Sequence, residues 1–194
     1  MIQSKQDYYN YIEADSKSNG IKPNTPPLLR SVKYIIAPSY EWKFIKALRW
    51  LEYCNNVLRH RYFLVGTILW FIAKYRFRKI SVRLGYSIPI NVIGPGFSLP
   101  HRGNIIINPN TKIGENCRIH VGVNIGAHKD KAPIIGDNVY IGPGAIIFGN
   151  ITIGNGVTIG ANATVNKSFT QNNITIAGTP AQIIKTNTSS WNGK

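Results

Sequence analysis

Acidic residues are scarce in this chain. Its 194 residues include 8 Asp and Glu against 23 Lys and Arg, a formal net charge of +15. Charged residues make up 16% of the sequence, against roughly 25% in an ordinary soluble domain. So few carboxylates argue against paired-carboxylate catalysis. So sparse and one-sided a charge excludes a coiled coil and an acidic disordered chain. Cysteine is nearly absent: Cys54 and Cys117 stand alone, make no metal-binding pattern, and read as reduced thiols rather than a disulfide. Long apolar runs are missing too. The longest, Tyr62 to Ala73, is about twelve residues where a membrane span needs ~20, and it reads as a buried helix. No apolar run follows Met1 as a secretory signal requires, so the expected compartment is the cytoplasm. P-loop and Rossmann fingerprints are also lacking.

What is present falls into two halves. Residues 1–85 carry 15 basic and 5 acidic residues, and residues 86–194 carry 8 and 3. The first half reads as helices. Ser4 to Asp7 has the form of a capping box, with Gly20 as the stop. Thr25-Pro26-Pro27 breaks the chain. Glu41 to Leu58 places Phe44, Ile45, Leu48, Leu51 and Cys54 on one helical stripe, and Tyr62 to Leu84 forms a further helix with a basic C-terminal end.

Near residue 86 the period changes to six. Ile93, Leu99, Ile107, Ile113, Ile119 and Ile125 form one series; Ile135, Ile141, Ile147, Ile153, Ile159 and Val165 form a second. Two extra residues fall between 99 and 107 and four between 125 and 135. Most anchors precede Gly or Asn. A six-residue period suits neither a helix nor a hairpin. It suits a parallel β-solenoid in which each anchor points inward and small residues accept left-handed corners. The fold class expected is mainly β: a left-handed parallel β-helix over 86–185, preceded by an α-helical region (1–85) and followed by a tail (186–194).

This grammar resembles that of the hexapeptide-repeat acyltransferases. Ile93-Gly94-Pro95-Gly96-Phe97-Ser98-Leu99-Pro100-His101 followed by Ile105-Ile106-Ile107 resembles the active-site coil of serine acetyltransferases. Ala177-Gly178-Thr179-Pro180-Ala181 is similar to the segment that closes their acetyl-CoA region. Asp7-Tyr8-Tyr9, Glu13-Ala14-Asp15, Leu48-Arg49, Glu52-Tyr53 and Asn55-Asn56 resemble the helices before that solenoid. The resemblance implies an acetyl-CoA-dependent O-acetyltransferase assembled as a homotrimer. It breaks in three places: Pro100, Tyr86 and Ala132 stand where the family keeps an Asp before the catalytic His, an orienting Asp and a second His. Lost carboxylates argue against an acceptor with an ammonium group. The preferred acceptor is therefore a sugar hydroxyl of a surface polysaccharide, as in the polysaccharide O-acetyltransferases of this type, with serine as the runner-up and a non-enzymatic scaffold as a further alternative.

Acetyl transfer from a thioester to a hydroxyl needs a base. By resemblance His101, beside the two-residue insertion, is that base. His128, in the four-residue insertion, is a second candidate that would reach a neighbouring subunit's site. His120 reads as a surface or interface residue and His60, between two Arg, as solvated. Three histidines also bring zinc solenoids to mind, but those pair two His about five residues apart, whereas the spacings here are 19 and 8; no metal is expected. By resemblance Gly142, Pro143, Gly144, Ala145, Gly160 and Ala161 line the acetyl-CoA groove, with Lys167, Gly178, Thr179, Pro180 and Lys185 toward its nucleotide. The run Arg59, Arg61, Lys74, Arg76, Arg78, Lys79 and Arg83 holds no acid among it. A solvated face, an acidic saccharide and weak association with an anionic membrane at the inner face are the readings it leaves; no motif for nucleic acid accompanies it.

Overall fold

The computed structural model describes residues 1–21, 39–189 and 191; the Thr25–Pro27 break lies outside them. The first helix, α1 (Lys5–Ser18), begins where the sequence marks it. The Ser4 hydroxyl accepts the Asp7 N–H at 3.0 Å, and the Asp7 carboxylate accepts the Gln3 N–H at 3.0 Å. Asn19 ends it and Gly20 follows at φ +66°.

Helix α2 (Tyr40–Tyr53) is capped by Ser39 and buries Phe44, Ile45, Leu48 and Leu51, the stripe expected. It runs through a π-helical turn, Cys54–Leu58, and a single turn, Arg59–Arg61, into α3 (Phe63–Leu84). Gly85, at φ +76°, stops α3. Here one expectation fails. The run from Tyr62 to Ala73 is helical but not buried: Phe63, Leu64, Val65, Ile68, Phe71 and Ile72 are exposed. Only a narrow stripe of α3, through Gly66, Ala73, Ser81 and Leu84, turns inward. An apolar run shows no periodicity, so it cannot say which side faces a neighbour.

From Tyr86 the chain winds a left-handed β-helix of about five turns with three flat faces. Face A stacks Tyr86–Ser87, Ile105–Ile107, Asn124–Gly126, Ile146–Phe148 and Thr164–Val165; face B stacks Lys112–Ile113, Ile134–Ile135 and Thr152–Ile153; face C stacks Arg118–Ile119, Tyr140–Ile141, Thr158–Ile159 and Thr175–Gly178. All these pairs are parallel, and Ala181–Lys185 then closes face C by pairing antiparallel with Thr175–Gly178. Each register matches anchor to anchor, as in Ile113 with Ile135 and Ile141 with Ile159.

All twelve anchors are buried, each contributing roughly 1.5–3 kcal/mol by leaving water. The corners differ from expectation in one detail. Left-handed backbone falls three residues after the anchor, as at Gly144 (φ +71°) and Asn138 (φ +58°). The glycine directly after an anchor answers a different need: a Cβ on Gly142 would lie 2.8 Å from the Ile159 carbonyl oxygen of the next coil. Coil stacking excludes a side chain there.

The helices cap the first coil. Arg49, fully buried, donates from Nε to Asp15 at 2.8 Å and from its terminal nitrogens to Glu52 at 2.9 Å and to the carbonyls of Ile93 and Gly94 at 2.9 and 2.7 Å. Asp15 and Glu52 in turn accept the N–H groups of Phe97 and Asn91 at 2.8 and 2.7 Å. Asn19 bonds the Phe97 carbonyl and the Leu99 N–H. A coil with no coil before it has backbone groups that need such partners.

Candidate active site

The corner between faces C and A is where His101 stands. Leu99 points inward from face C, and the inserted residues bulge before Ile105 enters face A, so the His101 side chain projects into solvent. Three contacts fix this bulge. The buried Tyr86 donates its hydroxyl to the His101 carbonyl at 2.9 Å. Arg102 pairs with Glu41 at 3.5 Å, and its guanidinium lies 5.6 Å from the centre of the Tyr40 ring. The helical region thus reaches the bulge at the N-terminus of α2. Burial pushes the Tyr86 hydroxyl well above its ordinary pKa, so it stays a donor throughout the neutral range.

One coil on, His120 occupies the same corner. Its ring centre is 6.0 Å from that of His101 and 4.9 Å from that of Tyr140. Arg118 donates from Nε to His120 Nε2 at 3.4 Å, which puts the imidazole proton on Nδ1. Burial, then the neighbouring Arg118 and His101, lower the pKa of His120. It is therefore a neutral ring beneath an exposed one. Trp191 packs beside Arg118: its Nε1–H donates to the Asn116 carbonyl at 2.8 Å and the Arg118 guanidinium lies 5.3 Å from its ring centre.

Further coils continue this edge. Gly142 to Ala145 form the corner of the third coil, where Gly142 and Ala145 are buried, Gly144 is half-buried and Pro143 is exposed. Gly160, half-buried, and Ala161, exposed, follow on the fourth. Thr179 then reaches back across it, its hydroxyl 3.3 Å from the Asn162 carbonyl oxygen and from the Thr164 hydroxyl. Gly178, Thr179 and Pro180 are exposed, with a cis bond between Thr179 and Pro180. Lys167 donates to Gln182 at 3.1 Å, and Lys185 is exposed on the last strand. Small side chains along this edge leave backbone accessible, a surface on which a long flexible arm can lie.

His128 is elsewhere. Its loop bridges faces A and B, closed by paired backbone hydrogen bonds between His128 and Lys131 at 2.9 and 3.1 Å. Within one chain His101 and His128 sit on opposite margins of face A. His60 is exposed on the Arg59–Arg61 turn. Among the described residues no group of three or more His, Cys, Asp or Glu is placed to hold a metal ion. Cys54 and Cys117 are both buried and free, their thiols pushed up to about 11 and about 12 by burial.

Sequence reasoning placed Tyr86 as a mere replacement for an orienting carboxylate and left the partner of His101 unassigned. The structure gives Tyr86 a direct role in holding that loop. No local pattern announces it, because the pair spans 15 residues and two coils.

The fold and this edge define a hexapeptide-repeat transferase, and comparison agrees. Residues 132–167 match the family model described as bacterial transferase hexapeptide (six repeats). The serine acetyltransferase of Buchnera aphidicola is 33% identical over 195 residues, covering 94% of this chain and 72% of that protein. The chloroplastic serine acetyltransferase 1 of Arabidopsis thaliana is 45% identical over 96 residues, which is 47% of this chain and 30% of the plant protein. Among solved structures, Neisseria gonorrhoeae serine acetyltransferase in complex with serine aligns at a TM-score of 0.67 and 26% identity, covering 93% of this chain and 70% of that one. The Brucella abortus enzyme shares the fold at a TM-score of 0.70. The chain belongs to the serine acetyltransferase family. The closer kinship with polysaccharide O-acetyltransferases expected from the sequence finds no support in these relatives.

Proposed function

We propose that the chain is an acetyl-CoA-dependent O-acetyltransferase, with His101 as general base and serine as acceptor. One observation carries the chemistry: His101 stands exposed above neutral His120 at the head of an edge that continues through Gly144 and Gly160. The choice of serine rests on relatives named for it. His101 takes the hydroxyl proton as the oxygen attacks the thioester carbonyl. The tetrahedral intermediate then breaks its carbon–sulfur bond, and the imidazolium returns the proton to the departing thiolate. The buried thiols of Cys54 and Cys117 are unsuited to carry the acetyl group, which favours direct transfer. The arm of acetyl-CoA lies along Pro143, Gly144, Gly160 and Ala161, with Gly142 and Ala145 shaping the backbone beneath it. Lys167, Gly178, Thr179, Pro180 and Lys185 meet the nucleotide end.

Face A supports a homotrimer. Ile106, Ile146 and Phe148 project from it exposed, between the His101 edge and the His128 loop. A homotrimer packed through this face sets the loop edge of one protomer against the His101 edge of the next, which gives His128 a place at the acceptor.

A sugar hydroxyl is the second reading, favoured by one observation. The ring of His101 neighbours that of His120, which in turn meets Arg118 and Tyr140, while the carboxylate of Glu41 beside the bulge is engaged by Arg102. A serine ammonium calls for a carboxylate; a sugar does not.

The test is thiol release from acetyl-CoA with L-serine and with a panel of sugars and oligosaccharides. Turnover with serine supports the first reading, and turnover with sugars alone the second. His101→Ala should lower kcat by about two to four orders of magnitude. A variant that turns over at the wild-type rate removes His101 from the mechanism.

A further inference from the structure

Helix α3 carries an apolar face that stands exposed among the described residues. Phe63, Leu64, Val65, Ile68, Phe71 and Ile72 are between 50% and 79% exposed. At 3.6 residues per turn, Leu64, Ile68, Phe71, Ile72 and Tyr75 fall on one stripe about 17 Å long. Cations border both ends of it: Arg59 and Arg61 before, and Lys74, Arg76, Arg78 and Lys79 after. Between Glu52 and Glu115 the chain has no acidic residue at all. Beside the stripe, α3 and residues 86–90 form an open, largely apolar pocket of about 460 Å³, lined by Leu51, Trp70, Phe77 and Ile88 together with Lys74 and Arg78. The Ser81 hydroxyl, buried on the cavity wall, has no hydrogen-bond partner among the described residues.

We infer that this face of α3 lies on an anionic phospholipid surface, with the apolar stripe in the acyl boundary and the flanking cations among the headgroups. Three features choose lipid over a second copy of the chain. The stripe is bounded by one sign of charge, so a self-contact sets cations of one copy against those of the other. Anionic headgroups answer that charge directly. Along α3 the exposed apolar residues come first and the cations follow, so both can meet one lipid surface together. No described helix is long and apolar enough to cross a membrane, so α3 rests on the bilayer and does not span it. The pocket beside it, lined by apolar side chains and by Lys74 and Arg78, suits one acyl chain and its anionic headgroup. An acetyltransferase held this way would work at the membrane face, whatever its acceptor.

The experiment is flotation of the full chain with phosphatidylcholine vesicles and with the same vesicles containing phosphatidylglycerol, at ~0.15 M salt. Wild type should float with the anionic vesicles, stay behind with the neutral ones, and be released as salt rises. Ile68→Asp with Phe71→Asp should lose at least tenfold in partitioning. Both positions are exposed, so an unchanged melting curve and unchanged thiol release confirm that the fold and the active edge are intact. Arg76→Gln and Lys79→Gln should each weaken partitioning about fivefold. Failure of wild type to float with anionic vesicles overturns the inference, as does equal binding to both kinds. Self-association without lipid that Ile68→Asp abolishes would assign the face to a second copy and overturn it too.

Discussion

The solenoid and the helical region hold together by different means. In the solenoid each coil meets only its neighbours, the interior is a stack of Ile and Val, and charge stays outside. The helices instead bury an arginine between two carboxylates and aim all three at backbone groups of the first coil. A repeat array is open at both ends, and an open end must be finished by something that is not a repeat. At the start, polar side chains on α1 and α2 do this, and at the finish an antiparallel strand, Ala181–Lys185, does it with a backbone ladder. The polar cap therefore sets the helices against the coil that carries His101.

Breaking the cap should have the largest effect. Arg49→Met keeps most of the volume and removes the cation, leaving Asp15 and Glu52 buried without their counter-charge and the Ile93 and Gly94 carbonyls without donors. A loss of about 3–5 kcal/mol is expected, read as a lowered midpoint in urea unfolding. Adding Asp15→Asn and Glu52→Gln to Arg49→Met should recover part of it, since the uncompensated charges are then gone. If Arg49→Met unfolds within 1 kcal/mol of wild type, roughly the range of an exposed ion pair, the cap is not what joins the two regions.

A cavity in the array sharpens the comparison. Ile141 is fully buried and paired in register with Ile119 and Ile159 on its two sides. Ile141→Ala should cost about 2–5 kcal/mol. Because neighbouring coils are coupled only in sequence along the axis, hydrogen exchange should rise first in the coils around 141 and leave the Arg49 network protected. Uniform loss of protection in both regions would show one cooperative unit, and the contrast drawn between them would fail.

This difference also explains what the sequence made legible. The solenoid is written in a period: twelve anchors, six apart except at two insertions, each with an inward side chain, need no knowledge of distant residues. The cap is written in single residues on different helices. Arg49 and Glu52 sit on the same stripe as Leu48 and Leu51, and a charge on an apolar stripe was the available signal for the network. Its partner Asp15 lies 34 residues away from Arg49, and nothing local pairs them. The exposed stripe of α3 was hidden for a related reason, since an apolar run reads as buried until its neighbours are known. His101 was visible because an insertion interrupts the period beside it, whereas the hold of Tyr86 on that insertion depends on how one coil lies over the next.

The smallest effect concerns the place where the two regions meet. Tyr86 opens face A, packs its ring edge-on against Phe44 of α2 with centres 4.8 Å apart, and donates its hydroxyl to the His101 carbonyl. Tyr86→Phe keeps the ring contact and removes only the bond. Stability should fall by about 0.5–1.5 kcal/mol, while kcat falls several-fold with the KM for acetyl-CoA unchanged. The pH profile should keep its shape, because the hydroxyl holds the loop and exchanges no proton with the acceptor. A shifted profile would instead make Tyr86 part of the proton path. An unchanged kcat would mean that the Arg102–Glu41 pair alone fixes the bulge and that the helices, not the first coil, position His101.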